Sequence, residues 1–318
     1  MNINDLVTQY VTFRRTLGER CKTNESILRS FCRSIGPRTP VAVIGADAVA
    51  AFLVGAGPVT SAWHIRYRAL KGFFRFAVSR GHLNEAPLPT VIPKPPPPFV
   101  PYIYSRDEIR RLLDAIPSYR RCRTGIEPET LRAILLLLYG AGLRAGEALN
   151  LSVADVDLPN AILTVRNTKF FKTRLVPISR HLTSVLTEYA RWRVVTHPTV
   201  GDDRRFFLSK RGTAIHLVTL EDAFQRLREH AQVRRSDDAR YQPRLHDLRH
   251  AFAVHRLTEW YRQGINPQSR LPYLAAYLGH RDIHSTLVYL TITQELLQSA
   301  NERFRTAEVD VVKRIRGK

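Results

Sequence analysis

The first part of the chain has the apolar spacing of amphipathic helices. Across residues 1–86 apolar side chains recur at steps of three and four residues, so that they share one face of a helix. The clearest stripe consists of Trp63, Tyr67, Leu70, Phe74 and Ala77. Such an aromatic stripe is more typical of a core than of a base-stacking surface. We predict four helices, over residues 3–17, 24–35, 46–54 and 60–80.

A proline-rich segment separates this part from the rest. Eight of the 19 prolines lie between Pro87 and Pro101. Since proline disfavours both helix and sheet, residues 87–103 are predicted to be an extended linker. A segment of this kind can also be a ligand for an SH3-type domain, but its place between two folded patterns favours a linker. The sequence Ser105-Arg106-Asp107-Glu108 then has the form of a capping box, which indicates a helix start.

Helices and one hairpin are predicted after Ser105. The apolar spacing favours helices over residues 105–115, 128–139, 143–149, 181–195, 217–232 and 246–264. A turn at Gly140-Ala141-Gly142 separates the second of these from the third. Residues 161–166 and 174–178 have the pattern of two strands joined by a lysine-containing tip. With a short helix from about Ser285 and a terminal helix beyond Tyr289, the chain is predicted to be mainly α with a small β-hairpin (α+β).

The charge balance points to a polyanionic partner. Lys and Arg number 49 against 28 acidic residues, which gives a net charge of +21 and a pI near 10.6. Residues 1–103 contribute +8 of this total, so both parts of the chain are basic. An excess of this size is typical of proteins that bind nucleic acid, and such binding weakens steeply with salt. A protein of the ribosome or of a membrane surface is the alternative that composition leaves open.

Other features indicate a soluble cytoplasmic protein that associates with the nucleoid. Hydrophobic residues make up 44% and charged residues 24%, as in ordinary globular proteins. The three cysteines form no CxxC pair and no metal-ligand spacing, which favours free thiols in a reducing compartment. The longest apolar run, residues 133–143, is too short to span a bilayer, and the start of the chain does not have the pattern of a signal peptide.

Candidate chemistry lies between residues 246 and 289. His246, Arg249 and His250 fall at i, i+3 and i+4, so they share one face of the predicted helix. A guanidinium can fork two phosphate oxygens while an imidazole transfers a proton. Alone, such a face is usually just solvated, as a single surface Arg or Lys is. The order of the whole set is more informative: Arg144, Lys169, His246, Arg249, His280 and Tyr289.

This ordered set resembles the tyrosine recombinase/integrase family. The matching stretches are GLRAGEALNL, TKFFKTRLVPI, LHDLRHAFA and LGHRDIHSTLVY, which together span most of residues 140–290. The resemblance implies two domains that clamp DNA from opposite sides. We therefore expect a helical core-binding domain over residues 1–86, the linker over 87–103, a catalytic domain over 104–305 and a basic tail over 306–318.

The resemblance also implies a role for each residue. Tyr289 would attack a DNA phosphodiester to give a 3′-phosphotyrosyl bond, and Arg144 and Arg249 would hold the non-bridging oxygens. Lys169 would protonate the leaving 5′-oxygen. His246 would help to accept the tyrosine proton, and His280 would hydrogen-bond the phosphate. No metal and no cofactor is required.

Several assignments stay open. Lys172 is a rival to Lys169 as the acid, and Tyr273 and Tyr277 are rivals to Tyr289 as the nucleophile. Glu147 and His250 are expected to support the site, Glu147 through an ion pair with Arg144. A zinc site at the histidines is disfavoured because no HExxH motif or acidic ligand set accompanies them. Direct DNA contacts are expected from Arg66, Arg68, Lys71, Arg75, Lys172 and Arg174.

The implied activity is site-specific recombination of double-stranded DNA. The enzyme would act as a homo-tetramer on two DNA sites through a Holliday junction, in the integration, excision or transposition of a mobile element, with other recombinases as further partners. Two alternatives remain: a type IB topoisomerase-like enzyme that relaxes DNA, and a basic DNA-binding protein that does not cut. The sequence leaves open whether the terminal segment docks on its own domain or on a neighbouring protomer.

Overall fold

The first structural unit, Met1–Phe99, is built from helices in its described part. This computed structural model describes residues 1–19, 21–55, 60–96, 100–118, 125–166, 173–198, 205–237, 239, 241–280 and 282–291. The helices of the unit are α1 (Ile3–Thr16), α2 (Lys22–Ile35), α3 (Ala46–Val54) and α4 (Ser61–Ser79). Their bounds agree with the predicted ones to within two residues at each end.

The aromatic stripe of α4 forms part of the core of this unit, as predicted. Trp63, Leu70 and Phe74 are buried, because α4 packs against α1, α2 and α3. Tyr67 is half-buried and stacks on Trp63 with ring centroids 5.3 Å apart. Phe73, which lies outside the predicted stripe, is also buried, because α4 contacts three other helices and its buried surface is wider than the stripe. These rings are therefore unavailable as a platform for stacking bases.

The second unit begins at Val100 and contains helices and a small sheet. Its helices are α5 (Arg106–Ala115), α6 (Pro128–Ala141), α7 (Ala145–Asn150), α8 (Arg180–Thr196), α9 (Leu217–His230), α10 (Asp247–Arg262), α11 (Pro267–Leu278) and α12 (His284–Thr291). Its strands are β1 (Val156–Asp157), β2 (Ile162–Val165) and β3 (Arg174–Pro177). The described chain is thus mainly helical with one small sheet, which confirms the predicted fold class.

The predicted hairpin is the pair β2 and β3. The two strands are antiparallel, with Ile162 opposite Pro177 and Val165 opposite Arg174. Strand β1 pairs with the other edge of β2, so the order is β1-β2-β3. The sequence analysis missed β1, because two residues are too few to show an alternating pattern.

The core of the second unit surrounds α6. This helix packs against α8 and α10, and most of its side chains are buried. It ends at Ala141, two residues later than predicted, and is followed by Gly142, whose φ of +59° is a left-handed conformation that favours glycine. A Cβ at Gly142 would lie 2.4 Å from Phe252 of α10. A larger residue therefore cannot sit at this turn, which brings the start of α7 close to α10.

Helix starts were partly predictable. The capping box of α5 is present: Glu108 N donates to Ser105 Oγ (3.1 Å) and Ser105 N donates to Glu108 Oε2 (2.8 Å). Helix α7 begins at Ala145, two residues after the predicted start. Helix α11 was not predicted, because Pro272 interrupts its pattern; its signals were an N-cap at Asn266 and a proline at the next position.

Some predictions concern residues that the structure does not describe. These are the hairpin tip with Lys169 and Lys172, Cys122, the terminal helix beyond Thr291 and the basic tail over residues 306–318. Within the described residues, Cys21 and Cys32 are free thiols. Among the helices that are described, none has the length and apolar character needed to cross a bilayer.

Candidate active site

Arg249 lies at the centre of the candidate site. It sits in the first turn of α10 and is 2% exposed. Its Nη1 donates to Gly142 O (2.6 Å) and its Nη2 donates to Leu278 O (2.7 Å). Burial, together with the neighbouring charge of Arg144, lowers the pKa of Arg249 to about 10. The guanidinium thus stays charged at neutral pH and is fixed by carbonyls from two other segments.

Arg144 lies directly before α7 and is held by Glu147, as predicted. Its Nη1 donates to Glu147 Oε1 (2.8 Å), and its backbone N donates to Glu147 Oε2 (3.1 Å). Its Nη2 donates to Gly279 O (3.3 Å). The side chain is 40% exposed, so part of the guanidinium faces solvent. Arg144 is therefore positioned by the protein and still accessible to an anion.

Arg174, at the start of β3, binds the same carboxylate. Its Nη2 and Nη1 donate to Glu147 Oε2 (2.8 Å) and Oε1 (3.1 Å), and its Nε donates to Tyr277 O (3.1 Å). Only 13% of its side chain is exposed. The structure places this guanidinium in an internal ion pair, whereas a direct DNA contact was expected from the sequence.

Glu147 is the anionic centre of the arginine cluster. Burial alone would raise the pKa of Glu147, but hydrogen bonds and charge from Arg174, and then from Arg144, lower it to about 2. A carboxylate with two guanidinium partners stays ionised and binds both of them. The supporting role expected of Glu147 thus extends to a second arginine that the sequence analysis did not connect with it.

Tyr289, on α12, points into the described site and is 3% exposed. Its hydroxyl lies 3.1 Å from His250 Nδ1. Burial raises the pKa of Tyr289, while the charge of Arg249 and a hydrogen bond to that side chain act in the opposite direction. The tyrosine therefore meets a possible proton acceptor and a cation at the same hydroxyl.

The imidazole at the Tyr289 hydroxyl belongs to His250 rather than to His246. The ring of His246 packs edge-on against that of His250, with centroids 4.9 Å apart. Burial first, and then the charges of neighbouring groups, lower the pKa of His250 to about 3; burial and Arg249 lower the pKa of His246. Both rings are neutral at physiological pH, and an unprotonated Nδ1 of His250 can accept the phenolic proton.

His280 follows a left-handed glycine and is fixed by a threonine. Gly279 has φ +69° and ends α11. The ring of His280 stacks beside that of Tyr289, with centroids 6.1 Å apart, and its Nδ1 lies 2.7 Å from Thr286 Oγ1. Burial, followed by the charges of Arg249 and Arg144, lowers the pKa of His280 to about 4. Thr286 is fully buried and was not identified from the sequence, where a lone threonine gives no signal.

The rival tyrosines lie in different surroundings. Tyr277 donates its hydroxyl to Pro177 O (3.0 Å) and stacks on Phe252. Burial raises the pKa of Tyr277 to about 12. Tyr273 is 67% exposed, with Arg270 over its ring. Of the three tyrosines, Tyr289 is the one placed beside His250 and Arg249, which favours it as the nucleophile.

The basic residues predicted on α4 differ in exposure. Arg68, Lys71 and Arg75 are exposed. Arg66 is half-buried, lies over the Phe52 ring at 5.5 Å and donates to Phe52 O (3.4 Å). The cations of this helix that are free to contact a phosphate at the surface are therefore Arg68, Lys71 and Arg75. Arg66 also packs against Phe52.

The arrangement of the described His, Cys, Asp and Glu side chains bears on metal binding. Within that part of the chain, no group of three or more His, Cys, Asp or Glu is arranged to hold an ion. His255, also on α10, has its Nδ1 2.8 Å from the Tyr139 hydroxyl. The described site thus combines arginines, imidazoles, the Tyr289 phenol and the Glu147 carboxylate.

Helices with a small antiparallel sheet, and a tyrosine beside an arginine and imidazoles, are the arrangement expected of a tyrosine recombinase. Residues 104–295 match the model of the phage integrase family. The chain is 33% identical to the Sinorhizobium fredii protein y4rB, named as an integrase/recombinase, over 93% of this chain and 95% of that one. It is 32% identical to tyrosine recombinase XerA of Thermococcus kodakarensis, over 76% and 74%.

Solved structures share the fold. An integrase of the transposon Tn1549 in complex with a circular intermediate DNA aligns with a TM-score of 0.68 at 18% identity, covering 96% of this chain and 99% of that one. A lambda integrase tetramer bound to a Holliday junction aligns with a TM-score of 0.63 at 18% identity, covering 89% and 78%. The chain belongs to the phage integrase family, and it is a tyrosine-type site-specific DNA recombinase.

Proposed function

We propose that this recombinase cuts and rejoins DNA through a 3′-phosphotyrosyl bond to Tyr289. The observation that carries the proposal is the position of one hydroxyl. Tyr289 Oη lies 3.1 Å from His250 Nδ1, and the charge of the nearby Arg249 guanidinium counteracts the rise in the pKa of this phenol that burial causes. A phenol placed between a neutral imidazole and a fixed cation is suited to attack an anionic phosphate, because its proton and its target both have a binding partner.

In the cleavage step the Tyr289 oxygen bonds to the scissile phosphorus, and the bond from phosphorus to the 5′-oxygen breaks. The phenolic proton passes to His250 Nδ1. The leaving 5′-oxygen takes a proton from a lysine, for which Lys169 and Lys172 are both candidates. The reverse reaction, with a 5′-hydroxyl from the same or an exchanged strand, restores the diester and frees Tyr289. Because the covalent bond conserves the energy of the diester, no nucleotide cofactor is needed.

Two arginines and one histidine stabilise the transition state in this proposal. Charge gathers on the non-bridging oxygens as phosphorus becomes five-coordinate, and Arg144 and Arg249 bind those oxygens. Both guanidinium groups are already positioned by carbonyls and, for Arg144, by Glu147, so little reorganisation is needed during reaction. Loss of one such donor typically raises a barrier by about 3 kcal/mol. His280, next to the Tyr289 ring, donates a further hydrogen bond to the phosphate.

The substrate in this proposal is double-stranded DNA from a mobile element, which the enzyme integrates, excises or transposes. The net charge of +21 and the exposed Arg68, Lys71 and Arg75 support DNA binding. The lambda integrase tetramer bound to a Holliday junction supports a homo-tetramer that joins two sites. The Tn1549 transposon integrase in complex with a circular intermediate DNA supports a mobile element as the source of the substrate. Other recombinases are further candidate partners.

A suicide substrate tests the chemistry directly. The protein is incubated, without metal, with a nicked duplex that carries sequence from the ends of its own element, and the products are separated on a denaturing gel. We expect a covalent protein–DNA adduct that is absent with Tyr289→Phe. Tyr277→Phe is the matched control, since it removes another hydrogen-bonded tyrosine hydroxyl, and it should still form the adduct. An adduct that persists in Tyr289→Phe would contradict the proposal.

Two further outcomes point to the alternatives. Relaxation of any supercoiled plasmid, without a defined site, would indicate a type IB topoisomerase-like enzyme. Tight, salt-sensitive binding to element DNA without any adduct would indicate a protein that binds and does not cut. A synaptic complex of four protomers on two duplexes, measured by light scattering, is the expected assembly; a cutting monomer would contradict the tetramer.

A further inference from the structure

Three consecutive carbonyl groups at the end of α11 each accept a hydrogen bond from a different arginine. Arg174 Nε donates to Tyr277 O (3.1 Å), Arg249 Nη2 to Leu278 O (2.7 Å) and Arg144 Nη2 to Gly279 O (3.3 Å). The last carbonyls of a helix lack partners within the helix and carry the negative end of its dipole. Three cations thus meet at one helix end, and His280 is the next residue of the chain.

Arg174 is the most enclosed partner of Glu147. Each carboxylate oxygen of Glu147 is shared: Oε1 accepts from Nη1 of both Arg144 and Arg174, and Oε2 accepts from Arg144 N and Arg174 Nη2. The Arg174 side chain is 13% exposed and that of Glu147 is 11% exposed, against 40% for Arg144. Arg174 therefore fixes the carboxylate from the protein side, while Arg144 binds it from the side open to solvent.

The turn before His280 is shaped around the same guanidinium. A Cβ at Gly279 would lie 2.8 Å from Arg174 Nη1 and 2.9 Å from its Cζ. Gly279 also has φ +69°, a conformation that side chains other than that of glycine rarely adopt. The backbone that carries His280 is thus in direct van der Waals contact with Arg174, with no room for a side chain between them.

We infer that Arg174 is a positioning residue for strand cleavage: it fixes Glu147 and the end of α11, so that Arg144 and His280 face the scissile phosphate. It acts through these residues and does not bind DNA itself. The inference rests on the proposed phosphotyrosyl chemistry. A displacement of about 1 Å in such a site can lower a rate roughly 100-fold, so the loss of this support is expected to affect the chemical step rather than the affinity for DNA.

The first test separates rate from affinity in Arg174→Gln and Arg174→Lys. Single-turnover cleavage is measured at saturating suicide duplex, and Kd is measured separately across a salt range. Positioning predicts a cleavage rate lower by about 100-fold, with Kd and its salt dependence close to the wild-type values, because no phosphate contact is lost. Arg174→Lys keeps the charge but not the fork, so it should fold and still cleave slowly. Cleavage at the wild-type rate by Arg174→Lys would overturn the inference.

Arg166→Gln is the matched control. Arg166 directly follows the partner strand β2 and pairs with Asp155, but its side chain is 58% exposed. Its loss should leave the saturated cleavage rate unchanged. If wild type forms no adduct, the proposed function fails; if wild type cleaves and Arg174→Gln cleaves equally well, the inference alone fails. A weaker Kd with a shallower salt slope in Arg174→Gln would return this residue to the DNA-binding set.

A modified substrate distinguishes positioning from a general structural role. A methylphosphonate at the scissile position replaces one non-bridging oxygen by a methyl group and is uncharged, so correct placement of Arg144 matters less. The rate loss in Arg174→Gln, relative to wild type on the same substrate, should shrink from about 100-fold to about tenfold or less. Equal losses on both substrates would indicate that the variant is merely misfolded and would overturn the positioning role.

A double-mutant cycle with Gly279 tests the contact itself. Gly279→Ala in the wild-type background places a methyl group against the Arg174 guanidinium. In an Arg174→Ala background that space is open, and only the strain of the left-handed φ remains. The rate loss caused by Gly279→Ala should therefore be about tenfold smaller in the Arg174→Ala background than in the wild-type background. Such a difference is the energetic coupling expected of two residues in contact. Additive losses would show that the contact does not matter.

Discussion

The two units of the molecule place their arginines in different environments. In the second unit Arg249 is 2% exposed and donates to two backbone carbonyls. On α4 of the first unit Arg68 is exposed, and its Nε donates to His64 O of its own helix. A buried guanidinium loses its hydration, so its partners must be specific and its position becomes fixed. An exposed one remains hydrated, and it attracts any polyanion to a degree that depends on salt.

In the proposed reaction this difference separates two kinds of contribution, one to the chemical step and one to DNA binding. The fixed arginines suit the transition state, because their geometry is set before the phosphate arrives. The exposed cations of α4 suit the capture of DNA, because counterion release requires charge but no single geometry. Substitutions in the first group should therefore change rate and stability, and those in the second should change affinity and its dependence on salt.

The largest effect is expected for Arg249→Ala. The substitution removes a cation from the proposed phosphate site, and Gly142 O and Leu278 O lose the donors that Arg249 supplies. We expect single-turnover cleavage to fall by about 1,000-fold and the free energy of unfolding to fall by about 2 kcal/mol. Cleavage of a suicide duplex and urea unfolding measure the two quantities. Arg68→Ala is the control from the exposed set, and it should leave both within error at saturating DNA. A similar rate loss in Arg249→Ala and Arg68→Ala would contradict the distinction between fixed and exposed arginines.

The next largest effect, on the free energy of unfolding, is expected from a substitution of Glu147, the carboxylate that binds Arg144 and Arg174. Glu147→Gln keeps the shape of the side chain but leaves Arg144 and Arg174 without a counter-charge. Breaking a largely buried ion pair in this way typically costs about 3 kcal/mol. Glu259→Gln removes a carboxylate that lies 3.8 Å from Arg106 and is 38% exposed, and it should cost less than about 1 kcal/mol. Urea midpoints compare the two; equal midpoints would contradict the role given to Glu147.

The sequence predicted most helices and the order of the site residues, because both depend on local pattern. The bounds of α3 agree with those predicted, since Ala46–Val54 is a compact apolar run between glycines. Helix α11 escaped prediction because Pro272 lies inside it. Strand β1 escaped because pairing of two residues is decided by the neighbouring strand and not by their own pattern.

What the pattern could not decide is which residues meet across long distances in the chain. His246 and His250 share a helix face, so either could have contacted Tyr289. The contact with His250 depends on how α12 packs on α10, across 39 residues. Arg174 had the pattern of a basic residue at a strand start, and its pairing with Glu147 spans 27 residues. Helical periodicity shows which side chains share a face, but not what the face contacts.

The neutral histidines predict a dependence of stability on pH in the DNA-free protein. The folded-state pKa of His250 is about 3 and that of His280 about 4, both below the ordinary value of 6.5. The unfolded chain therefore binds more protons than the folded one as pH falls below about 6.5, so stability decreases with acidification toward about pH 4. Urea midpoints across this range measure the decrease.

Two histidine variants test whether His250 causes this dependence of stability on pH. His250→Asn should flatten the curve, because the residue can no longer take a proton on unfolding. His284→Asn removes an imidazole that is 86% exposed and should leave the slope as in wild type. The same slope in both variants would place the origin of the effect elsewhere in the chain.

The smallest expected effect comes from single substitutions on the exposed face of α4. Arg75→Gln removes one cation that is available for a phosphate contact. We expect the slope of log Kd against log salt to fall by about 0.9 and affinity to weaken a few-fold. Arg68→Gln and Lys71→Gln should behave alike, on any DNA sequence, because phosphate contacts carry no sequence information. Fluorescence anisotropy on specific and random duplexes measures both quantities. Arg174→Gln is the informative comparison. It removes a positive charge that is held in an internal ion pair, so we expect the salt slope to stay unchanged. An equal change of slope in Arg75→Gln and Arg174→Gln would mean that burial does not separate the two groups of arginines.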